Sequence, residues 1–327
     1  MMQPDRRHVL LGSAAVGAGA MLRSRTASAA PVSTDDPGAV TWIVLPNGNK
    51  VWTQRRGSGE KKVLLVNGGP GLSHDYMQCF ASFLPQAGYS LYFYDQLGTG
   101  ASDRPDDRSL WTLPRYLDEL ETVRAGLGLE RFVLIGHSWG AILGIEYALR
   151  RPERLGGFVL SNMSASFADY GAYWRHLRDT LPEDVRMRLT ALEAAGLGDS
   201  EAYADLVQRE LYSRYICRLD PWPSPVQRSL SGLNTDIYRQ LQGPNEFTPT
   251  GELKAWDRWA DLHRIATPTL VIGARYDEMD PESARREARL IPNAELFLSD
   301  SGSHLAMWDD QANYFKAVLG FLSRLPA

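Results

Sequence analysis

The sequence predicts an α/β fold: a mostly parallel central sheet with helices on both faces and an inserted helical cap. Short apolar runs such as "KVLLV" and "RFVLIG" alternate with helical patterns, as in sheets that are buried on both faces. The alternation stops over residues 163–260 and resumes with "PTLVIG" and "AELFLSD". The chain has 327 residues, 44% of them hydrophobic, which is enough for one large core with an insertion.

Residues 1–29 are predicted to be a signal peptide and not part of the fold. Arg6 and Arg7 precede an apolar run at 9–22, and residues 27–29 offer a small-x-small cleavage site. The run is too short for a membrane span. The pattern resembles a twin-arginine signal, so we expect the twin-arginine export machinery to carry the chain to the periplasm or the exterior. No stable membrane insertion is expected after signal removal. The alternative is a tail with an incidental arginine pair.

The mature chain is predicted to divide into three parts. Residues 30–162 form the first part of the α/β core, residues 163–260 the helical cap, and residues 261–327 the second part of the core. The core should begin with a hairpin, because two alternating strands flank an Asn-Gly turn at 47–48. A proline-rich break interrupts the cap at 220–227, and a last helix closes the chain.

Composition and spacing exclude several classes of function. The net charge is -4 and the body of the chain has no basic run, so no nucleic-acid partner is expected. Two cysteines are too few for a disulfide scaffold. Cys79 is expected to be a buried apolar residue, and the sequence does not decide whether it forms a disulfide with Cys217. The six histidines are scattered without metal-ligand spacing, so neither a metal nor another cofactor is expected.

A candidate nucleophile lies in the segment "FVLIGHSWGAILGIEYAL". Gly136-x-Ser138-x-Gly140 falls between an apolar strand and an amphipathic helix, which is the context of a nucleophile elbow. There the sharp turn strains the central residue, and larger flanking side chains would collide with neighbouring elements. The helix that follows would favour negative charge at its N-terminus. The alternative is a tight strand–helix turn with an incidental serine.

A nucleophilic serine needs a base and an acid, and in this fold both follow it in the sequence. Asp277 follows the strand "TLVIG", and His304 follows the last strand in a loop rich in Ser and Gly. Asp280 is a weaker candidate for the acid because Asp-Pro is typical of a helix cap and first turn. Order and loop placement therefore favour Ser138, Asp277 and His304 as a catalytic triad.

An oxyanion hole should complete the site. One donor is expected to be the backbone N–H of Trp139, the residue after the nucleophile. The second should come from the loop after the third strand, "VNGGPG", where we favour Gly69. The alternative is a flexible glycine-rich turn without a catalytic role.

Six short segments of the chain together carry a family resemblance: "NGGPG", "YDQLGTGASD", "GHSWGA", "GPNEFTPTGELKAWD", "RYDE" and "SGSHLAMW". With these segments, the chain from about Thr41 onwards resembles the proline iminopeptidase family of α/β-hydrolase serine peptidases. The resemblance implies the same triad, and it implies that Glu246 and Glu278 hold the α-ammonium group of the substrate. It also implies hydrolysis of the N-terminal residue, often proline, from short peptides. One departure is Asn67, where the family loop usually begins with His.

Three alternatives remain open from the sequence. The same chemistry would serve an amino-acid amidase or an esterase, so the substrate is either a small peptide or an amino-acid amide or ester. Epoxide hydrolases and dehalogenases use Asp at the elbow, and Ser138 argues against them. A catalytically silent binding module is the third, and the complete triad argues against it. Asp95, in "YDQLG", is interpreted as a structural residue that orients its loop.

Overall fold

The computed structural model describes residues 38–198, 200–246 and 248–326. The predicted signal peptide over residues 1–29 lies outside the described residues. None of the described helices combines the length and the apolar character that crossing a bilayer would require.

Eight strands follow one another along the chain as the apolar runs predict. They are β1 Val40–Val44, β2 Lys50–Arg56, β3 Lys61–Val66, β4 Tyr89–Tyr94, β5 Phe132–His137, β6 Leu155–Ser161, β7 Thr269–Tyr276 and β8 Ala294–Ser303. They form one sheet in the order β1-β2-β4-β3-β5-β6-β7-β8. β1 and β2 pair antiparallel, as does β2 with β4, and all other pairs are parallel. The mostly parallel sheet and its opening hairpin are therefore confirmed.

Eleven α-helices accompany the strands in the described part of the chain. They are α1 Leu113–Gly126, α2 Trp139–Arg150, α3 Phe167–Asp179, α4 Glu183–Ala194, α5 Glu201–Val207, α6 Ser213–Tyr215, α7 Ser224–Ser231, α8 Thr235–Leu241, α9 Pro281–Leu290, α10 Ala306–Asp309 and α11 Gln311–Arg324. A π-helical stretch, Gln208–Tyr212, joins α5 to α6 within the segment predicted to be a helical cap.

The sheet separates two apolar layers, which explains why its central strands are apolar throughout. Along β5, Leu134 packs into the cluster on one face, whereas Val133 and Ile135 pack into the cluster on the other. All six residues of β5 are buried. Successive side chains of a strand point to opposite faces, so a sheet covered on both faces needs apolar residues at every position.

Residues 163–260 contribute α3 to α8 between β6 and β7. This segment is hydrogen-bonded to the loop that follows β8. The backbone N–H groups of His304 and Leu305 donate to the carbonyl oxygens of Tyr215 and Ile216, at 2.9 and 2.8 Å. The carboxyl end of the sheet and the helical segment therefore meet at His304.

The two cysteines are buried on the same side of the sheet. Cys79 lies in a 3-10 helix, His74–Ser82, and both it and Cys217 belong to one hydrophobic cluster. Both thiols are free, so the bridge that the sequence left open is not formed in this structure.

Candidate active site

Ser138 occupies a strained turn between β5 and α2. Its φ of 55° and ψ of −126° lie outside the regions that L-residues commonly adopt. The backbone N–H of Ser138 donates to Ser161 on the neighbouring strand, and its carbonyl accepts from Ala141 in the first turn of α2. The turn directs the side chain out of the sheet toward the pocket described below.

The two glycines of the motif are required by close backbone approach. A Cβ atom at Gly136 would lie 2.3 Å from the carbonyl oxygen of Gly140, and a Cβ atom at Gly140 would lie 1.9 Å from that of Val66. Side chains at these positions would therefore push the helix off the sheet. The glycine spacing of the motif follows from this packing.

His304 and Asp277 are brought together by the ends of β8 and β7. Nδ1 of His304 lies 2.9 Å from Oδ1 of Asp277, and both side chains are buried. Asp277 is itself held by the backbone N–H of Met279 at 3.1 Å and by Nδ2 of Asn162 at 2.6 Å. Such an arrangement fixes the imidazole tautomer and its orientation.

Asn162 is a residue of the site that the sequence analysis missed. It follows β6 directly and has a φ of 54°, which asparagine tolerates better than most residues. Ser161 Oγ donates to its side-chain oxygen at 2.7 Å, which leaves Nδ2 directed at Asp277. An Asn at the carboxyl end of a central strand was the only signal available.

Asp280, the alternative acid, has a different role in the structure. Its Oδ1 atom accepts a hydrogen bond from the backbone N–H of Glu282 at 2.9 Å and so caps α9, with Pro281 in the first turn. Asp277, not Asp280, is the carboxylate that contacts Nδ1 of His304. Asp95 accepts hydrogen bonds from the backbone and Nδ1 of His74 and from the backbone of Ala101, which fixes the loop after β4.

The second ring nitrogen of His304 faces another carboxylate. Its Nε2 atom lies 3.3 Å from Oε1 of Glu278. Among the hydrogen bonds of the described residues, none joins Ser138 Oγ to His304. Catalytic hydrogen bonds are often long in substrate-free sites and tighten when the substrate is bound.

His137 connects the elbow to the loops on either side of it and was also missed. Its Nε2–H donates to the carbonyl oxygen of His304 at 2.9 Å, so its Nδ1 accepts from the hydroxyl of Tyr76 at 2.9 Å. The Tyr76 oxygen in turn accepts from the backbone N–H of Gly68. Burial and the nearby His304 hold the pKa of His137 well below its ordinary value, consistent with this neutral form.

The glycine-rich loop after β3 borders the nucleophile. Gly69 has a φ of 120°, and it lines the same pocket as Ser138 and Trp139. Because the N–H of Gly68 is engaged by Tyr76, Gly69 remains the better candidate for the second oxyanion donor. Asn67 closes the loop by donating a hydrogen bond from Nδ2 to the carbonyl oxygen of Leu72 at 2.7 Å.

Glu246 and Glu278 converge on Tyr170 of α3. The Tyr170 hydroxyl donates to Oε2 of Glu246 and lies 3.5 Å from Oε2 of Glu278. Gln242 donates to Oε2 of Glu246 at 3.1 Å and to the Tyr170 oxygen at 3.2 Å. Two carboxylates from distant parts of the chain therefore meet in one place. Tyr170 and Gln242, which hold them there, were not found from the sequence.

Burial changes the acidity of this group of side chains. Burial and the nearby carboxylates of Glu246 and Asp277 raise the pKa of Glu278 well above its ordinary value. Burial also raises the pKa of Glu246, although the hydroxyls of Tyr170 and Tyr238 oppose that rise. Carboxyl groups in this environment favour a cationic partner.

These residues line a small pocket. Its polar wall comprises Ser138, Tyr170, Gln242, Glu246 and Glu278. Its apolar wall comprises Pro70, Ile142, Met163, Phe167, Leu253 and Met279. A larger and more open cleft between α3 and α9 contains none of the predicted catalytic side chains. Among the described residues, no group of three or more His, Cys, Asp or Glu side chains could hold a metal ion.

The sequence matches a family described as having the alpha/beta hydrolase fold over residues 61–311. A proline iminopeptidase from Elizabethkingia meningoseptica is 42% identical over 286 residues, which cover 86% of this chain and 96% of that protein. A second proline iminopeptidase, from Saccharolobus solfataricus, is 35% identical over 267 residues, which cover 81% of this chain and 86% of that protein. The chain belongs to the proline iminopeptidase family of α/β hydrolases.

Solved structures agree with this family assignment. The proline iminopeptidase of Mycobacterium smegmatis superposes with a TM-score of 0.81 at 27% identity, covering 88% of this chain and 98% of that one. A protein named VinJ superposes with a TM-score of 0.84 at 32% identity, covering 89% of this chain and 100% of its own. The predicted α/β-hydrolase fold is therefore confirmed.

Proposed function

We propose that this chain is a serine aminopeptidase that releases N-terminal proline, or another small apolar residue, from short peptides. The observation that carries the proposal is the small pocket in which Ser138 and two converging carboxylates, Glu246 and Glu278, face one another. Its relatives in the proline iminopeptidase family support the same activity.

In the proposed mechanism, Ser138 attacks the carbonyl carbon of the first residue. His304 accepts the proton of the Ser138 hydroxyl and later donates it to the departing amine. Asp277 accepts from Nδ1 of His304 and stabilises the charged ring that forms in between. Water, activated by the same His304, then hydrolyses the acyl-enzyme and releases the amino acid.

The tetrahedral intermediates carry a negative oxygen that needs donors. The backbone N–H of Trp139 begins α2, where the helix dipole also favours negative charge. The N–H of Gly69 is the proposed second donor, presented by the loop after β3. Both residues line the pocket next to Ser138, which supports this assignment.

Selection for a free amino terminus is proposed to come from Glu246 and Glu278. Two carboxylates around one ammonium group would fix its distance from the scissile carbonyl. The cost of moving the cation out of water is offset by the ion pairs, because Glu278 is already buried and Glu246 is held in place by Tyr170 and Gln242. The apolar wall, with Phe167 and Met279 among its residues, supports a compact apolar side chain such as the proline ring.

The proposed nucleophile is tested by Ser138→Ala. Purified wild-type protein should hydrolyse L-proline 4-nitroanilide and react covalently with a fluorophosphonate probe. The variant should lose at least about 1,000-fold in kcat and all labelling, with an unchanged circular dichroism spectrum. Wild-type protein that neither turns over nor labels would instead indicate a binding module, and an active variant would refute the elbow assignment.

We further propose that the protein acts outside the cytoplasm after removal of residues 1–29. The support is the arginine pair at 6–7 followed by the apolar run at 9–22 and the small-residue site at 27–29. Short peptides present outside the cytoplasm would then be its substrates.

A further inference from the structure

His304 lies between two carboxylates, and this placement has a consequence for its protonation. Nδ1 lies 2.9 Å from Asp277 Oδ1, and Nε2 lies 3.3 Å from Glu278 Oε1. The triad requires the first contact. The second engages the same nitrogen that has to accept the proton of Ser138.

The contact at Nε2 is favourable only if a proton is present. The lone pair of an unprotonated Nε2 and the oxygen of an ionised carboxylate repel each other at this distance. A proton on either atom removes the repulsion, whichever of the two carries it. His304 cannot act as the base while its Nε2 shares a proton with Glu278.

The surroundings also favour retention of that proton. The titratable groups that face the pair include Asp277, Glu246, Tyr170, Tyr212, Tyr238 and His137, whose ring centre lies 4.7 Å from that of His304. Two of them are carboxylates, and His137 is held neutral by its own hydrogen bonds. Carboxylates held this close together in a buried site favour retention of a proton.

We propose that the free enzyme holds a proton between Glu278 and Nε2 of His304, and that the substrate's ammonium group displaces it. The inference rests on the function proposed above. The ammonium group pairs with Glu278, the proton leaves to solvent, and Nε2 of His304 becomes free to accept the proton of Ser138. One positive charge enters the site and one leaves, so the buried charge is unchanged.

This exchange makes the amino terminus an activator as well as an anchor. A substrate with an acetylated amino terminus brings no cation and leaves the proton between Glu278 and His304. Even if such a substrate enters the pocket, Nε2 of His304 is still engaged by the proton that it shares with Glu278. Substrates with an acetylated amino terminus should then show a lower kcat as well as a higher KM.

The test is proton release on ligand binding, measured with the full-length mature protein carrying Ser138→Ala. L-prolinamide, protonated near neutral pH, is titrated calorimetrically in two buffers of different ionisation enthalpy. We expect about one proton released per bound ligand. N-acetyl-prolinamide should release none. Binding of L-prolinamide without proton release would overturn this inference but not the aminopeptidase proposal, whereas absence of binding would overturn both.

Variants locate the proton. Adding Glu278→Ala should abolish the release at saturating L-prolinamide, whereas Glu282→Ala, an exposed site on α9, should leave it unchanged. A purely structural role of Glu278 would alter affinity without altering the proton count. Proton release that survives Glu278→Ala would therefore refute the assignment of the displaced proton to this pair.

Discussion

Glu246 is the residue that we propose selects the substrate without contacting the reacting atoms. It approaches from the segment after α8, and Tyr170 and Gln242 hold its carboxylate in a fixed orientation. A carboxylate oriented in this way does not have to be reorganised when an ammonium group arrives. The gain in transition-state binding from Glu246 should therefore be confined to substrates with a charged amino terminus.

Glu246→Ala should therefore lower kcat/KM on L-proline 4-nitroanilide by about thirty-fold or more. Removing one partner of a desolvated charge pair typically costs about 2–5 kcal/mol, and each 1.4 kcal/mol corresponds to about tenfold. The loss on a neutral ester should be much smaller, because that substrate never used the contact. Steady-state kinetics on both substrates decide the question, and equal losses would argue for a general esterase.

The residues predicted from the sequence are marked by local motifs and chain order, whereas the residues that were missed act through long-range contacts. Ser138, Asp277 and His304 each follow a strand, and motif and chain order predict them before any contact is known. Asn162 and Tyr170 act through contacts with Asp277 and Glu246, which lie 115 and 76 positions away. Only the folded chain brings such pairs together, so these contacts could not be predicted from local patterns.

Among the helices, α9 carries an unusual buried carboxyl group, that of Glu287. Glu287 is fully buried, and neither carboxyl oxygen has a hydrogen-bond partner among the described residues. Burial raises the pKa of Glu287 well above its ordinary value, and the backbone of Ala165 opposes the rise only in part. The unfolded chain releases this proton above about pH 4.3, whereas the folded chain retains it, so the group lowers stability as the pH rises.

Glu287→Met should consequently stabilise the protein by about 1–3 kcal/mol near neutral pH. The gain should shrink toward about pH 4, where the carboxyl is protonated in both states. Urea denaturation near neutral pH and at about pH 4 measures this gain in the free energy of unfolding. Glu282→Met, at an exposed position of the same helix, is the matched control. A destabilised variant, or a gain that grows toward acid pH, would contradict this account of the buried carboxyl.

The strands were the most predictable elements and part of the cap was among the least predictable. Apolar runs and an Asn-Gly turn identify β1 to β8, because a sheet covered on both faces leaves few alternatives for such segments. The π-helical stretch Gln208–Tyr212 interrupts a segment with an uninterrupted helical pattern. Its hydrogen bonding depends on tertiary packing, which periodicity does not encode.

At the scale of the whole molecule, the predicted export route adds a requirement on folding. A twin-arginine signal directs proteins that are already folded. The sheet of this chain is mostly parallel and places the triad on three distant segments, so the site is complete only after the chain has folded. Export after folding would preserve that site.

Replacing Arg6 and Arg7 together with Lys should retain the precursor in the cytoplasm, because the export receptor recognises the arginine pair. Fractionation followed by immunoblotting and by assay on L-proline 4-nitroanilide reports the outcome. The retained protein should be active in the cytoplasmic fraction. Unchanged export of the double variant would instead point to a general secretion route.

The most direct test of the whole account compares one substrate with and without its positive charge. The mature wild-type protein is assayed on L-proline 4-nitroanilide and on the same compound with an acetylated amino terminus. The account predicts a kcat/KM at least about thirty-fold higher for the free amine, since only that substrate pairs with Glu246 and Glu278. Equal values for the two substrates would contradict the account.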